Sequence, residues 1–202
     1  MKPFYNFDIE QRSPEWYEAK LGKFSGSDFH VMLGNSDAKT NFLWNKIAER
    51  RYQDTEQDEY TSYAMERGII LEPEARRVYS AVSEVEVREV GLVESRDEFD
   101  GWAVCSPDGL VGEDGIIEIK CIMGKFFEQY TRKGEKKYGY IKPEYRTQVQ
   151  FNLFVTQREW ADIIYYHPRG GIFIQRVFPD AEYIEKIKTA LREGIQFIKE
   201  RI

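Results

Sequence analysis

The sequence predicts an α/β domain: a mainly helical portion over residues 1–82, then a sheet-bearing core and a C-terminal helix over residues 83–202, together one domain. Three observations carry this. Up to about residue 82 the apolar residues recur at helical spacing behind capping residues. From Val85 onward, short apolar runs alternate with Gly-rich turns, and after the last of these a helical period returns.

Taken in order, Ser13-Pro14-Glu15-Trp16 sets a capping serine before a proline at the first helical position, so a short helix should run to about Leu21. Ser25-Gly26-Ser27-Asp28 opens another, continued by Phe29, Val31, Met32 and Leu33. A third covers roughly Lys39 to Tyr52, with Phe42, Leu43, Ile47 and Trp44 on its apolar side. The polar run Gln53 to Glu59 reads as a loop, and a fourth helix near Ser62 to Ser80 carries Ile69, Ile70, Ala75, Val78 and Tyr79.

Val85, Val87, Val90, Leu92 and Val93 then mark a strand or two. Trp102–Cys105, Gly109–Val111 and Gly115–Cys121 are three more, the last two joined by the hairpin composition Gly112-Glu113-Asp114-Gly115. Helices follow around Lys125–Thr131 and Pro143–Thr156. A strand pair, Trp160–Tyr166 and Ile172–Val177, turns at Pro168-Arg169-Gly170-Gly171, and an amphipathic helix runs from about Asp180 to Glu200. The sum is a central mixed β-sheet flanked by helices.

The formal charge of -6 excludes a protein that coats DNA unselectively, but not a basic groove on an acidic body. Cys105 and Cys121 form no CxxC pair, so a cysteine-only zinc or iron–sulfur site is not expected, and two buried free thiols in a reducing compartment are. No apolar run approaches about 18 residues, and Met1-Lys2-Pro3-Phe4-Tyr5 lacks the form of a signal peptide. A soluble cytoplasmic protein without membrane contact is the expectation.

The chemically informative stretch is Ser106-Pro107-Asp108-Gly109 followed by Glu118-Ile119-Lys120. Asp108 and Glu118 stand across a hairpin turn, so adjacent strand ends can bring both to one metal ion. Glu118 and Lys120, two apart on a strand, project from the same face. Carboxylate oxygens suit Mg²⁺, which keeps several waters, and such a site can polarise a phosphodiester and generate hydroxide. A lysine there can orient or deprotonate the attacking water, or stabilise phosphate charge. Glu-x-Lys occurs three times, at Glu18-Ala19-Lys20, Glu118-Ile119-Lys120 and Glu135-Lys136-Lys137, and only the middle one lies in an apolar run with Pro-Asp upstream. On spacing alone, the solvated end of a strand fits as well as a metal site.

The stretch resembles the PD-(D/E)xK nuclease motif in the form found in the phage lambda exonuclease family of viral-type recombination exonucleases. Further blocks are similar to that family in order, from about residue 11 to 168: Trp16 with Lys20-Leu21-Gly22 and Ser25-Gly26-Ser27-Asp28; Arg67-Gly68 with Leu71-Glu72 and Ala75-Arg76; and Tyr145-Arg146-Thr147-Gln148-Val149-Gln150-Phe151 with Val155-Thr156. The resemblance implies a restriction-endonuclease-like core with Mg²⁺ as cofactor, for which Mn²⁺ can substitute. It implies Asp108, Glu118, Glu72 and the carbonyl of Ile119 as metal ligands, and Lys120 and Gln148 as catalytic partners, with Tyr145 on the face of Gln148. Read by themselves, Glu72 and Gln148 also fit ordinary surface positions on helices.

A 5′-phosphate pocket is likewise implied at Lys20, Ser25, Ser27 and Ser106, where hydroxyls, a cation and a helix start suit a phosphate dianion. Capping by Ser25 or Ser27 is compatible with it. The cation is lysine where the lambda enzyme has arginine, so the bidentate fork is missing. Lys125 is a further implied phosphate contact. Lys133, Lys136, Lys137, Lys142 and Arg146, interleaved with Tyr138, Tyr140 and Tyr145, fit either a DNA-tracking stretch or a solvated loop; His30 and His167 share no motif. The activity implied is 5′-to-3′ exonucleolytic digestion of double-stranded DNA, leaving 3′ single strands for recombination by single-strand annealing. A ring-shaped homotrimer, a single-strand annealing protein as partner, and a phage or prophage origin in a bacterial host come with it. An endonuclease on the same metal core, or a catalytically inactive DNA-end-binding protein, are the other readings.

Overall fold

The computed structural model describes residues 2–34, 37–53 and 63–202. The loop expected over Gln53–Glu59, Gln53 excepted, and the helix start at Ser62 lie outside the described residues. Strand β1 (Phe4–Asn6) leads into helix α1 (Pro14–Lys20), strand β2 (Phe24–Ser25), a 3-10 helix (Phe29–Leu33), α2 (Asp37–Tyr52) and α3 (Tyr63–Ser83). There follow β3 (Val87–Arg88), β4 (Leu92–Glu94), β5 (Ala103–Cys105), β6 (Gly109–Val111), β7 (Gly115–Cys121), α4 (Gly124–Thr131), α5 (Pro143–Thr156), β8 (Trp160–His167), β9 (Gly171–Val177) and α6 (Ala181–Lys199).

The strands divide between two mixed sheets. One runs β1-β4-β5-β2, with β2 parallel to β5; the other runs β3-β6-β7-β8-β9, with β7 parallel to β8. The parallel pair is joined through α4 and α5, as a parallel connection requires. β7 is the central strand of the larger sheet, and its buried Gly-Ile-Ile-Glu-Ile run reads as the near-continuous apolar segment such a strand needs. Alternation splits its side chains between two cores. Ile117 and Ile119 pack with Ala75 and Tyr79 of α3 on one face, while Ile116 joins Val149, Phe151 and Leu153 of α5 on the other.

Ser13 caps α1, its hydroxyl accepting from the Trp16 N–H at 3.3 Å. Four expectations are corrected. Residues 1–82 are mainly helical but include β1 and β2, and the segment after Ser25-Gly26-Ser27-Asp28 winds as a 3-10 helix without a side-chain cap. Ile69 and Ile70 are exposed, and Ala75 and Tyr79 are the residues of α3 that pack against the sheet. Trp44 is half exposed, its ring edge-on to Phe197 of α6. No helix among the described residues is long and apolar enough to cross a membrane.

Candidate active site

The C-terminal half of β7 forms one wall of a cavity of about 790 Å³. The β6–β7 register pairs Gly109 with Ile117, and its continuation sets Asp108 beside Glu118. Asp108 donates its backbone N–H to the Ile117 carbonyl at 3.1 Å, and its Oδ2 accepts from the Ile119 N–H at 2.6 Å. The short hairpin thus fixes one carboxylate against the backbone that carries the other.

Glu118 is almost fully buried and is held by α5. Its Oε1 accepts from Lys120 Nζ at 2.8 Å and from Gln148 Nε2 at 2.7 Å, and its Oε2 accepts from Asn152 Nδ2 at 3.2 Å. Gln148 Oε1 accepts from Lys120 Nζ at 2.9 Å, closing a triangle. Tyr145, Gln148 and Asn152 share a helix face by their three- and four-residue spacing, and the Tyr145 ring centre lies 4.7 Å from Lys120 Nζ.

Glu72, buried on α3, accepts from Arg12 and, at 2.7 Å, from Arg76 one turn on. Arg76 Nε also donates to the Asp108 carbonyl at 2.9 Å. Arg12 has a positive φ of 71°, a left-handed backbone that is costly for a residue with a Cβ. Its neighbour Gln11 fixes it there, donating from Nε2 to the Val90 carbonyl at 2.8 Å and the Pro107 carbonyl at 3.1 Å.

Burial raises the Asp108 carboxyl well above its ordinary value, and the nearby charges of Glu118 and Glu72 add to this. Burial likewise raises Glu118, against the pull of Lys120. Burial works against the Lys120 ammonium, but Glu118 and Asp108 outweigh it and hold the group charged. Among the described residues no three His, Cys, Asp or Glu side chains stand together as metal ligands, since Glu72 is turned to its arginines and Glu118 to α5. The donor chemistry nevertheless fits a hard divalent cation: all oxygen, with buried like charges pressed together that a cation would relieve.

Lys20, Ser25, Ser27 and Ser106 line the same cavity. Lys20 Nζ lies 3.7 Å from the Trp16 ring centre, and burial pushes its ammonium down to about 8, with Asp28 opposing. Ser25 and Ser27 hydroxyls are 3.1 Å apart, and Ser25 Oγ donates to Asp28 at 3.2 Å. The Ser106 hydroxyl accepts from Trp16 Nε1 at 2.8 Å and donates to the Gly91 carbonyl at 2.7 Å. Trp16 therefore ties Lys20 to Ser106 across 90 residues of chain.

Of the basic, aromatic stretch, Lys142 and Tyr145 line the cavity, whereas Lys125, Lys133, Lys136, Lys137, Tyr138, Tyr140 and Arg146 do not; Arg146 pairs with Asp180. His30 is exposed, and His167 Nδ1 accepts from the Gly170 N–H in the β8–β9 turn. Cys105 is buried and Cys121 half-buried, both as free thiols. Polar residues that the sequence reading did not assign also line or contact the site, among them Arg12, Lys46, Arg67, Arg76 and Asn152. Two carried a usable signal, since Arg76 follows Glu72 and Asn152 follows Gln148 by one helical turn.

The chain is similar to proteins of known structure. A TM-score of 0.83 relates it to the alkaline exonuclease from Laribacter hongkongensis, 30% identical with 93% of each chain covered; the complex of that enzyme with dAMP gives the same TM-score at 31% identity and the same coverage. A phage-related exonuclease from Haemophilus somnus 129PT shares the fold, with a TM-score of 0.69 at 14% identity over 88% of this chain and 94% of the other. No curated protein matches the chain. The model of the YqaJ-like viral recombinase domain matches residues 15–159, and the chain belongs to that family.

Proposed function

We propose that this chain is a Mg²⁺-dependent 5′-to-3′ exonuclease that acts at the ends of double-stranded DNA, with residues 1–202 working as a single nuclease domain. A nuclease role in recombination, in a metal-dependent class, follows from the family and its alkaline exonuclease relative. The finer reading rests on one observation: the carboxylate–lysine–glutamine cluster shares a single cavity with Lys20, Ser25, Ser27 and Ser106. The first group suits a scissile phosphodiester, the second a terminal phosphate.

Asp108, Glu118, Glu72 and the Ile119 carbonyl would hold the ion, which supplies Lewis-acid polarisation of the phosphoryl group and an acidic water. Lys120, kept charged, neutralises a phosphate oxygen as negative charge builds in the transition state. Gln148 orients Lys120, and with Asn152 it fixes the Glu118 carboxylate. Lys20 and the three serines take the 5′-phosphate, so the next linkage inward meets the carboxylates. The relative solved with dAMP supports a mononucleotide product. Family resemblance extends the reading to a ring-shaped homotrimer that hands 3′ single strands to a single-strand annealing protein, and to a phage or prophage origin.

Linear duplex and covalently closed circular duplex, each with Mg²⁺ and separately with Mn²⁺, provide the test. Mononucleotide release from the 5′ ends of the linear form alone is expected. Rapid nicking of the circle would assign an endonuclease, and tight end binding without hydrolysis would assign an inactive end-binding protein.

A further inference from the structure

One cation in the cavity wall has no task in that reading. Arg67, near the start of α3, has a buried Nε with no hydrogen-bond partner among the described residues, and its Nη2 reaches the Ile122 carbonyl only at 3.4 Å. That is long for an N–H···O bond, and a buried donor left unmade carries a desolvation cost that an incoming acceptor would relieve. The other two arginines of the site differ, both being engaged with Glu72. Arginine's planar fork matches two phosphate oxygens at once.

Its place follows from the contacts around the carboxylates. Gly26, in the turn of Ser25 and Ser27, lies against Asn152, which donates to Glu118. Asp108 stands beside Glu118 in register, and Arg76 donates both to the Asp108 carbonyl and to Glu72. Arg67 lies five residues before Glu72 on α3, and its Nη2 reaches the Ile122 carbonyl just past the end of β7. The contacts lead from the end pocket through the carboxylates to Arg67. Anionic groups strung along a DNA strand that enters at Lys20 meet the carboxylates second and Arg67 third.

We infer that Arg67 binds the phosphodiester one nucleotide 3′ of the scissile linkage, gripping the strand that remains in the duplex. This rests on the proposed end-first reading of the cavity. It gives the site a hold on the retained strand, separate from the hold on the departing nucleotide.

The test is a binding cycle in EDTA, read by fluorescence anisotropy with 5′-phosphorylated duplexes that carry one neutral methylphosphonate at successive linkages. In the unaltered protein, neutralising the second linkage from the 5′ end should weaken binding about tenfold, the factor that ~1.4 kcal/mol represents. Arg67→Gln should weaken binding of unmodified duplex by a similar factor. The two changes together should cost no more than either alone, because they remove the same contact. If they multiply, or if Arg67→Gln binds like the unaltered protein, the inference is overturned, and Arg67 merely ties down the Ile122 carbonyl. Should Arg67→Gln not fold, Arg67→Lys carries the same comparison, with a smaller loss and a correspondingly reduced response to the second linkage. Nicking of closed circles in Mg²⁺ would overturn the exonuclease reading instead, and leaves this cycle readable.

Discussion

Gln148 Oε1 stands 2.9 Å from Lys120 Nζ while its amide nitrogen stands 2.7 Å from Glu118 Oε1, so one side chain sets the geometry of both polar groups on β7. Gln148→Leu keeps the volume and removes both contacts. Partners that orient metal-site residues typically contribute tenfold to a hundredfold, so kcat should fall by roughly 10- to 100-fold, and the loss of a donor to the buried Glu118 carboxylate should lower the thermal midpoint by several degrees. Steady-state kinetics on linear duplex, with a melting curve of the variant, check this. Near-normal kcat would show that Lys120 and Glu118 hold their places unaided.

Lys20 gives the proposed end pocket a pH dependence. Burial lowers its folded-state value to about 8, below the unfolded value near 10.5, so the folded protein releases this proton first as pH rises. For stability the sign is unfavourable at low pH: burying the ammonium costs free energy below about pH 8, and the cost is relieved between there and the unfolded value. For binding the sign is opposite, because a phosphate dianion wants the charged form. Preference for 5′-phosphate over 5′-hydroxyl ends should be greatest below pH 8, then fall by up to about tenfold per pH unit above it. Lys20→Arg, charged throughout, should hold the preference to higher pH. Cleavage rates of the two end types from pH 6.5 to 10 decide it, and a flat ratio would remove Lys20 from the pocket.

Arg12 and a metal ion compete for the same carboxylate. Arg12 donates to Glu72 Oε2, and the ion proposed above would need that oxygen. Because Arg12 is partly exposed, the pair contributes at most about 1 kcal/mol, so Arg12→Gly should tighten Mn²⁺ binding by no more than about fivefold by calorimetry. Glycine also removes the strain of the positive φ, on the order of 1 kcal/mol, which offsets the lost ion pair and should leave the thermal midpoint within a few degrees. Weaker Mn²⁺ binding in the variant would mean that Arg12 positions Glu72 for the ion instead of competing for it.

Elements with a long periodic signal were legible in the sequence. The helix read over Pro143–Thr156 and the strand read over Gly115–Cys121 have those bounds in the structure. The two-residue strands β2 and β3 and the three-residue β1 are too short to display a period of two, and the division into two sheets depends on pairings such as Phe4 with Glu94 that no local pattern encodes. In the candidate site, Asp108, Glu118, Lys120, Gln148 and Glu72 were readable because a motif and a family order point to them, and all line one cavity. Arg12 was not, because its place depends on a left-handed backbone whose neighbour Gln11 is pinned to the Val90 carbonyl, 79 residues away between β3 and β4. Arg67 was quoted only as part of a block, since an unpartnered Nε is a property of packing alone.

Gly26 shows how the small-residue turn of the proposed end pocket reaches the carboxylates. A Cβ at this position would lie 2.4 Å from Asn152 Oδ1 and 3.1 Å from the Gln148 carbonyl oxygen. The first distance forces Asn152 to move, and the second lies against helix backbone that has little room to yield. Asn152 donates to Glu118 Oε2, so Gly26→Ala should leave that buried carboxylate short of one donor, a loss of about 1–3 kcal/mol. At roughly 2–4 °C per kcal/mol for a chain of this size, the thermal midpoint should drop by about 2–12 °C. Asn152→Ala alone should cost a similar amount by deleting the donor outright. In the double variant the new methyl occupies the space the amide vacated, so the combined loss should be clearly smaller than the sum of the two. Denaturant melts of the four proteins measure this coupling. Strict additivity would mean that the turn at Ser25-Gly26-Ser27 and the Glu118 carboxylate are independent, and that two neighbouring sites merely share a cavity.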